Sequence, residues 1–159
     1  MLRFRDATVA DLPAVARLMA DDGFGALREA PDDAAATDAY ARAFVAIAAM
    51  PGWAVILAEM PDGVPVGCLQ FMLLPHLSHT GRMRAQVESV RIASAHRGQG
   101  LGTALMRHAV ARARAAGCNM LQLTTHASRA EARRFYEQLG FSATHNGMKL
   151  MLDGPPPGS

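Results

Sequence analysis

Lysine is almost missing from this sequence: of 16 basic residues, 15 are arginine and only Lys149 is lysine. We read this as a bias of composition, so clustered arginines mark phosphate sites less sharply here than elsewhere. Cysteine is equally scarce. Two residues, Cys68 and Cys118, argue against a disulfide-stapled secreted scaffold. No apolar run reaches the roughly 18–20 residues of a membrane span. The opening residues Met1 to Asp6 lack the apolar stretch of a secretory signal. Neither sign of charge dominates, since 16 basic and 14 acidic residues leave a net +2. That balance gives no global attraction to nucleic acid or to an anionic membrane. No segment repeats. What remains is 159 residues of which 50% are apolar, enough for one domain with a sizeable core. The expectation is a soluble cytoplasmic protein with one domain over 1–153. A Pro/Gly tail at 154–159 has no means of packing and is expected to be disordered.

Hydrophobic periodicity predicts the elements. Residues 2–7 alternate as a half-buried strand. Thr8 and Asp11 form a capping pair for a helix carrying Leu12, Val15, Ala16 and Met19, with Gly23 and Gly25 as its stop. Asp33 or Thr37 caps a second, alanine-rich helix that Pro51-Gly52 breaks. Three strands follow, at 53–60, 64–74 and 83–93, with a polar connection over 75–82. They read as an antiparallel meander. The pattern then changes to a helix over 103–116, a strand over 119–125, and a helix capped by Ser128 with Glu131 at the capping-box position. Two last strands, 141–145 and 148–152, flank the hairpin signal Asn146-Gly147. Antiparallel strands early and βα units late make the class α+β, or mixed α/β.

The most informative segment is Val90-Arg91-Ile92-Ala93-Ser94-Ala95-His96-Arg97-Gly98-Gln99-Gly100-Leu101-Gly102-Thr103. A strand enters a turn with glycines at alternate positions, and a helix begins. Glycine lets backbone N–H groups crowd around an anion, and the helix N-terminus adds partial positive charge. A phosphate or pyrophosphate site is predicted. A Walker loop would need a lysine that is absent. A dinucleotide fingerprint would need glycine at Thr103 and a position at the first turn of a parallel sheet.

The run Arg97-Gly98-Gln99-Gly100-Leu101-Gly102, with the strand before it and Arg134-Phe135-Tyr136-Glu137-Gln138-Leu139-Gly140-Phe141 about 35 residues later, resembles the GNAT superfamily of acetyl-coenzyme A-dependent N-acetyltransferases. The resemblance covers most of the chain. It implies a splayed, mostly antiparallel sheet of about seven strands flanked by four helices, and a homodimer. It implies acetyl-CoA as co-substrate, with the pyrophosphate on the amides of Arg97, Gly98, Gln99, Gly100, Leu101, Gly102 and Thr103. The pantetheine arm would lie along Val90, Arg91 and Ile92, and Phe135 would also face the cofactor. Tyr136 matches the tyrosine that protonates the departing thiolate; alternatively it packs with Phe135 and Phe141. The reaction implied is direct acetyl transfer, in a ternary complex, to a primary amine of a small molecule. The alternative is an acetyl-CoA-binding sensor of the same fold without turnover.

Glu88 is the candidate base. On a regular strand it shares a face with Val90 and Ile92, where apolar neighbours would raise its pKa. Alternatively it pairs with Arg84 or Arg91. His76, His79, His126 and His145 fall on loops or strand ends, and any could line the acceptor site. They lack tight ligand spacing, so no metal is predicted. His76, His79, Arg82 and Arg84 hint at an anionic group on the acceptor. Arg129 stands where many relatives carry an asparagine. With Arg133 it is a solvated helix face or a contact to the cofactor's 3′-phosphate. The segment around them is similar to a branch that includes aminoalkylphosphonate acetyltransferases. Cys68 and Cys118 read as small buried hydrophobes rather than acyl carriers.

Overall fold

The computed structural model describes residues 2–21, 25–26 and 29–152, and of His79 only the backbone. The predicted helix stop at Gly23, the side chain of His79 and the tail at 154–159 lie outside the described residues. The chain divides into two compact units, Met1–Leu123 and Thr124–Ser159.

The first unit is built on a five-stranded sheet in the order β1-β2-β3-β4-β5. The strands are β1 (Arg3–Asp6), β2 (Ala54–Glu59), β3 (Pro65–Pro75), β4 (Met83–Ile92) and β5 (Met120–Gln122). The first three pairings are antiparallel, and β4 pairs β5 in parallel. A parallel neighbour requires a crossover. Helix α4 (Leu101–Ala115) supplies it. Before it come α1 (Leu12–Ala20), α2 (Ala34–Ala49) and the single turn α3 (Ser78–Gly81), which sits in the connection read from sequence as polar.

Local chemistry sets these boundaries. The Thr8 N–H donates to Asp11 Oδ2 at 2.7 Å, so the pair caps the entry to α1. Asp33 is the cap used for α2, its Oδ1 accepting from the Ala36 N–H at 2.8 Å. Thr37 instead lies in the first turn, its hydroxyl donating to the Asp33 carbonyl.

The sheet is covered on both faces. Val15 and Leu18 of α1 pack with Leu57 and Cys68 on one face. On the other, α4 buries Leu105, Met106, Ala109 and Ala113. Register places Leu69, Phe71 and Val87 on the opposite face from Cys68 and Gln70. Burying a leucine such as Leu105 is worth about 1.5–3 kcal/mol relative to leaving it exposed. The β1 end is tied by Arg5, which donates to Asp11 (2.7 and 2.8 Å) and to the buried Glu59 (2.8 Å). Arg112 of α4 pairs with Asp6 and lies 5.2 Å from the Phe71 ring centroid. No helix among the described residues is long and apolar enough to cross a membrane.

The second unit contains α5 (Ala130–Gln138). Ser128 is not its cap: Arg129 holds the N-cap position, and the Ser128 hydroxyl bonds His126 Nδ1 at 2.7 Å. The predicted strands at 141–145 and 148–152 are absent among the described residues, which reduces the expected seven strands to five. Met148, Leu150 and Leu152 are exposed, so this alternating pattern buries no face. A two-stranded hairpin without a third strand or a covered face is marginal in water.

Candidate functional site

The site grows from the second half of β4. β3 pairs β4 from Met83 to Ile92, but β5 pairs it only at Arg84, Ala85 and Gln86. Beyond Gln86, no strand among the described residues pairs the other edge of β4. On this stretch the Val90 and Ile92 carbonyls accept from Arg91 Nη1 and Arg97 Nε, both at 3.0 Å, so an extended, amide-bearing chain would pair first with the outward N–H groups.

A bulge interrupts this stretch. Gln70 pairs with Glu88 and Cys68 with Arg91, so β4 carries one residue more than β3 between the two pairs. Ser89 absorbs it, with φ at +52°. This overturns the expected side-chain alternation. Glu88 shares its face with Gln70 and Arg91, whereas Ile92 pairs with Gly67 on the other face. Nor are the neighbours of Glu88 apolar. Gln122 Nε2 donates to Gln86 Oε1 at 2.6 Å, and Gln86 Nε2 donates to Glu88 Oε1 at 2.7 Å. Two amides in series thus orient one half-buried carboxylate beside the bulge. Gln86 and Glu88 stand two apart on the strand, so their shared face was visible in the sequence; the role of Gln122 was not.

β4 leads into the glycine turn. Gly98 and Gly100 adopt φ of +74° and +78°, the left-handed region. A Cβ added to either would meet, beyond its chain neighbours, no atom of the described residues within 4 Å. Glycine is required here by backbone conformation, and the space beyond it is open. Gly100 is the N-cap of α4 and supplies no side chain to its first turn. The early N–H groups of that turn, from Leu101 to Thr103, have no intrahelical acceptor. The result is an open cradle of amides at the positive end of a 15-residue helix.

The approach to the cradle is braced by contacts not apparent in sequence. Arg97 Nε donates to the Ile92 carbonyl at 3.0 Å, and its guanidinium also bonds the Asp21 carbonyl. Asp21 Oδ2 accepts the Ser94 N–H at 2.6 Å. The end of α1 thereby holds the turn, and Arg97 acts through its side chain as a strut. Gly67 permits the close approach of β3 to the same strand: a Cβ there would lie 2.9 Å from the Arg91 carbonyl oxygen and 2.6 Å from Ile92 Cδ1.

A cavity of about 250 Å³ lies between α1, α2 and the sheet and reaches Gln70 and Ser89. Cys68 is in its wall. Burial pushes that thiol up to about 12, which disfavours the thiolate needed for an acyl-cysteine route. His76 and Arg84 do not line this cavity. Arg84 precedes Ser89 by five residues, about 17 Å along the strand. The described members of the group that hinted at an anionic acceptor therefore sit at the far end of β4. Among the described residues no cluster of three or more His, Cys, Asp or Glu could hold a metal.

Tyr136 and Phe135 belong to the second unit. They lie in α5, ring centroids 5.1 Å apart, and Phe141 meets Tyr136 edge-on at 5.8 Å. The Phe141 N–H donates to the Tyr136 carbonyl at 3.1 Å, closing the helix end. Tyr136 is half-buried. Arg133 pairs with Glu137 at 2.8 Å on the exposed face of α5.

Residues 21–141 match the Acetyltransferase (GNAT) family. The chain belongs to that family. It is 31% identical over 130 residues to a streptothricin acetyltransferase of Streptomyces lavendulae, covering 82% of this chain and 58% of the relative. It is 30% identical over 84 residues to an aminoalkylphosphonate N-acetyltransferase of Salmonella typhimurium, covering 53% and 54%. This GNAT chain therefore spans somewhat over half the length of these curated relatives. Among solved structures, a protein of Bacillus halodurans C-125 described as a transcriptional regulator superposes with a TM-score of 0.88. It is 40% identical, over 95% of this chain and 99% of its own. An acetyltransferase of Trypanosoma brucei gives 0.75 at 27% identity, over 96% and 100%. The mixed α+β architecture, with its mostly antiparallel sheet of five strands, matches these neighbours.

Proposed function

We propose that this protein is an N-acetyltransferase that moves the acetyl group of acetyl-CoA to the primary amine of a small molecule, by direct attack in a ternary complex. The observation that carries the reading is the continuity between the edge of β4 that no strand among the described residues covers and the amide cradle at Gly98 and Gly100. An extended pantetheine arm suits the first, and a pyrophosphate suits the second. Val90, Arg91 and Ile92 would flank the arm; the amides from Gly98 to Thr103 would hold the pyrophosphate. Acetyl-CoA, when bound, supplies an activated acyl carbon.

The residues then have distinct tasks. The backbone freed by the Ser89 bulge offers an N–H to the thioester oxygen as it gains charge. Glu88, oriented by Gln86, takes the proton released as the amine forms its bond to carbon. Tyr136 gives a proton to the departing sulfur. A phenol of ordinary pKa about 10 and a thiol of about 8.5 are close enough that this transfer is uphill by only about 2 kcal/mol. The cavity at Ser89 has the small size of a metabolite site rather than that of a macromolecular groove. The streptothricin and aminoalkylphosphonate relatives, named for small amine substrates, support the same acceptor class.

The likeness to the Bacillus halodurans protein described as a transcriptional regulator favours a second reading, an acetyl-CoA sensor without turnover. Calorimetric titration of acetyl-CoA into the wild type and Tyr136→Phe, followed by thiol-release assays across an amine panel, separates the two. The enzyme reading expects both proteins to bind and only the wild type to release thiol at speed. Binding without thiol release on any amine supports the sensor, and absence of binding removes both.

A further inference from the structure

We propose that Gln122 of β5 is a positioning residue for acetyl transfer: through Gln86 it fixes which oxygen of Glu88 takes the proton of the incoming amine. The inference rests on the acetyl-transfer reading and deepens its account of the base. Gln86 is the last residue of β4 that β5 pairs, and its partner on that rung is Gln122. Gln122 is also the last residue of β5. The side chains meet in series: Gln122 Nε2 donates to Gln86 Oε1 at 2.6 Å, and Gln86 Nε2 donates to Glu88 Oε1 at 2.7 Å. All three residues are half-buried.

The chemistry permits one direction along this chain. An ionised carboxylate only accepts, so Gln86 must turn its NH2 toward Glu88. Its carbonyl oxygen then faces back, and only a donor can meet it. Gln122 supplies that donor from the neighbouring strand. The terminal torsion of a glutamine is soft, so Gln86 by itself does not hold its amide in one orientation. Held from both ends, it engages Oε1 of Glu88, and the proton goes to Oε2. A linked chain of bonds orients its last member more firmly than a single bond does. The crossover β4–α4–β5 thereby carries the base, the amide cradle at the start of α4, and the far end of the chain that aims the base.

The test is a double-mutant cycle of Gln122→Met and Gln86→Met in the full chain. Methionine keeps the length of glutamine without its donor. Thiol release from acetyl-CoA is followed with spermidine, glucosamine and 2-aminoethylphosphonate, and the fastest acceptor is kept. Gln122→Met should lower kcat about three- to tenfold, while the KM of the amine and the Kd of acetyl-CoA stay within about twofold. In the Gln86→Met background the same change should cost nothing further, because Gln122 acts only through Gln86. In proton–nitrogen spectra the side-chain amide of Gln86, assigned by its loss in Gln86→Met, should shift both in Gln122→Met and in Glu88→Gln. If the methionine variant melts early, Gln122→Val suits a strand better, and the same results are expected. Independent losses in the cycle, an unchanged kcat in Gln122→Met, a loss in acetyl-CoA affinity instead of kcat, or a Gln86 signal that Gln122→Met leaves in place would overturn the inference while acetyl transfer stands. If the wild type releases no thiol with any amine, the function proposed above fails, and this inference with it.

Discussion

Gly100→Ala, measured beside Gly117→Ala, separates a phosphate cradle from a mere turn. The two glycines bracket the same helix. Gly100 caps the N-terminus of α4 with φ +78°, and Gly117 follows its C-terminus with φ +74°. Beyond its chain neighbours, neither would bring an added Cβ within 4 Å of any atom of the described residues. Each alanine therefore pays the left-handed conformational cost, about 1–2 kcal/mol, without a steric clash. In a chain of this size that lowers Tm by roughly 2–8 °C. Stability alone does not distinguish the two variants.

Ligand binding should. At Gly100 the new methyl group projects into the space where the amides of the turn would meet a pyrophosphate. Displacing one or two charge-assisted hydrogen bonds, at about 1.5–3 kcal/mol each, weakens binding by roughly 10- to 1,000-fold or more. At Gly117 the methyl lies at the negative end of the helix, where no anion is expected. Scanning calorimetry should give similar Tm losses for both variants. Titration with acetyl-CoA should give near-wild-type affinity for Gly117→Ala and at least a tenfold loss for Gly100→Ala. Equal affinities in the two variants would refute the cradle, whatever their stabilities.

Glu88→Gln keeps the shape of the strand and should lower kcat by about 10²- to 10⁴-fold with acetyl-CoA affinity unchanged, as measured by steady-state kinetics and calorimetry. Gly67→Ala places a Cβ 2.9 Å from the Arg91 carbonyl; we expect both a lower Tm and weaker acetyl-CoA binding, because the strand it displaces forms the proposed cofactor edge. Arg5 holds the Asp11 carboxyl well below the usual carboxylate range. The stability from this depressed pKa is present above the unfolded value near 4 and is lost as pH falls below it. Asp11→Asn should therefore destabilise the protein by about 1.5–3 kcal/mol at pH 7 and flatten its acid unfolding below pH 4, followed by urea titration at several pH values. Cys68 should resist alkylation in the native protein, since its thiol is buried and held neutral; rapid labelling without unfolding would contradict that account.

Most of the first unit was legible because its signals are local. Thr8 with Asp11, Asp33, the break at Pro51-Gly52 and the strand expected at 83–93 each depend on near neighbours in sequence, and each lies within a residue or two of its expected place. The glycine turn was legible for the same reason: conformation and amide supply are written in Gly98 and Gly100. What was not legible depends on partners distant in the chain. Asn146-Gly147 is a strong turn signal, yet a turn makes no sheet unless flanking strands gain a partner, and Met148, Leu150 and Leu152 remain exposed. Asp21 supports the Ser94 amide from 73 residues away, and no spacing rule announces that.

The bulge at Ser89 shows how a single residue changes a site argument without changing the fold. Period-two counting places Glu88 with Val90 and Ile92, and the count fails because β4 carries one residue more than β3. The error is one of phase, so every assignment of face on one side of Ser89 reverses relative to the other. The consequence for chemistry is constructive. Because of the slip, Glu88 joins Gln70 on the face that bears the cavity, while Ile92 turns to the opposite face against Gly67. A regular strand would have put the candidate base on the same face as Ile92 and away from Arg91. The irregular one turns the carboxylate toward the face that bears the cavity, breaks the ladder beside it, and leaves the strand edge running on toward the glycine turn. Ser89 holds a positive φ that costs a non-glycine residue on the order of 1 kcal/mol or more. Removing the extra residue should relieve that strain, restore regular alternation and abolish acetyl transfer together. A deletion at this position that kept both stability and turnover would show that the bulge has no part in orienting Glu88.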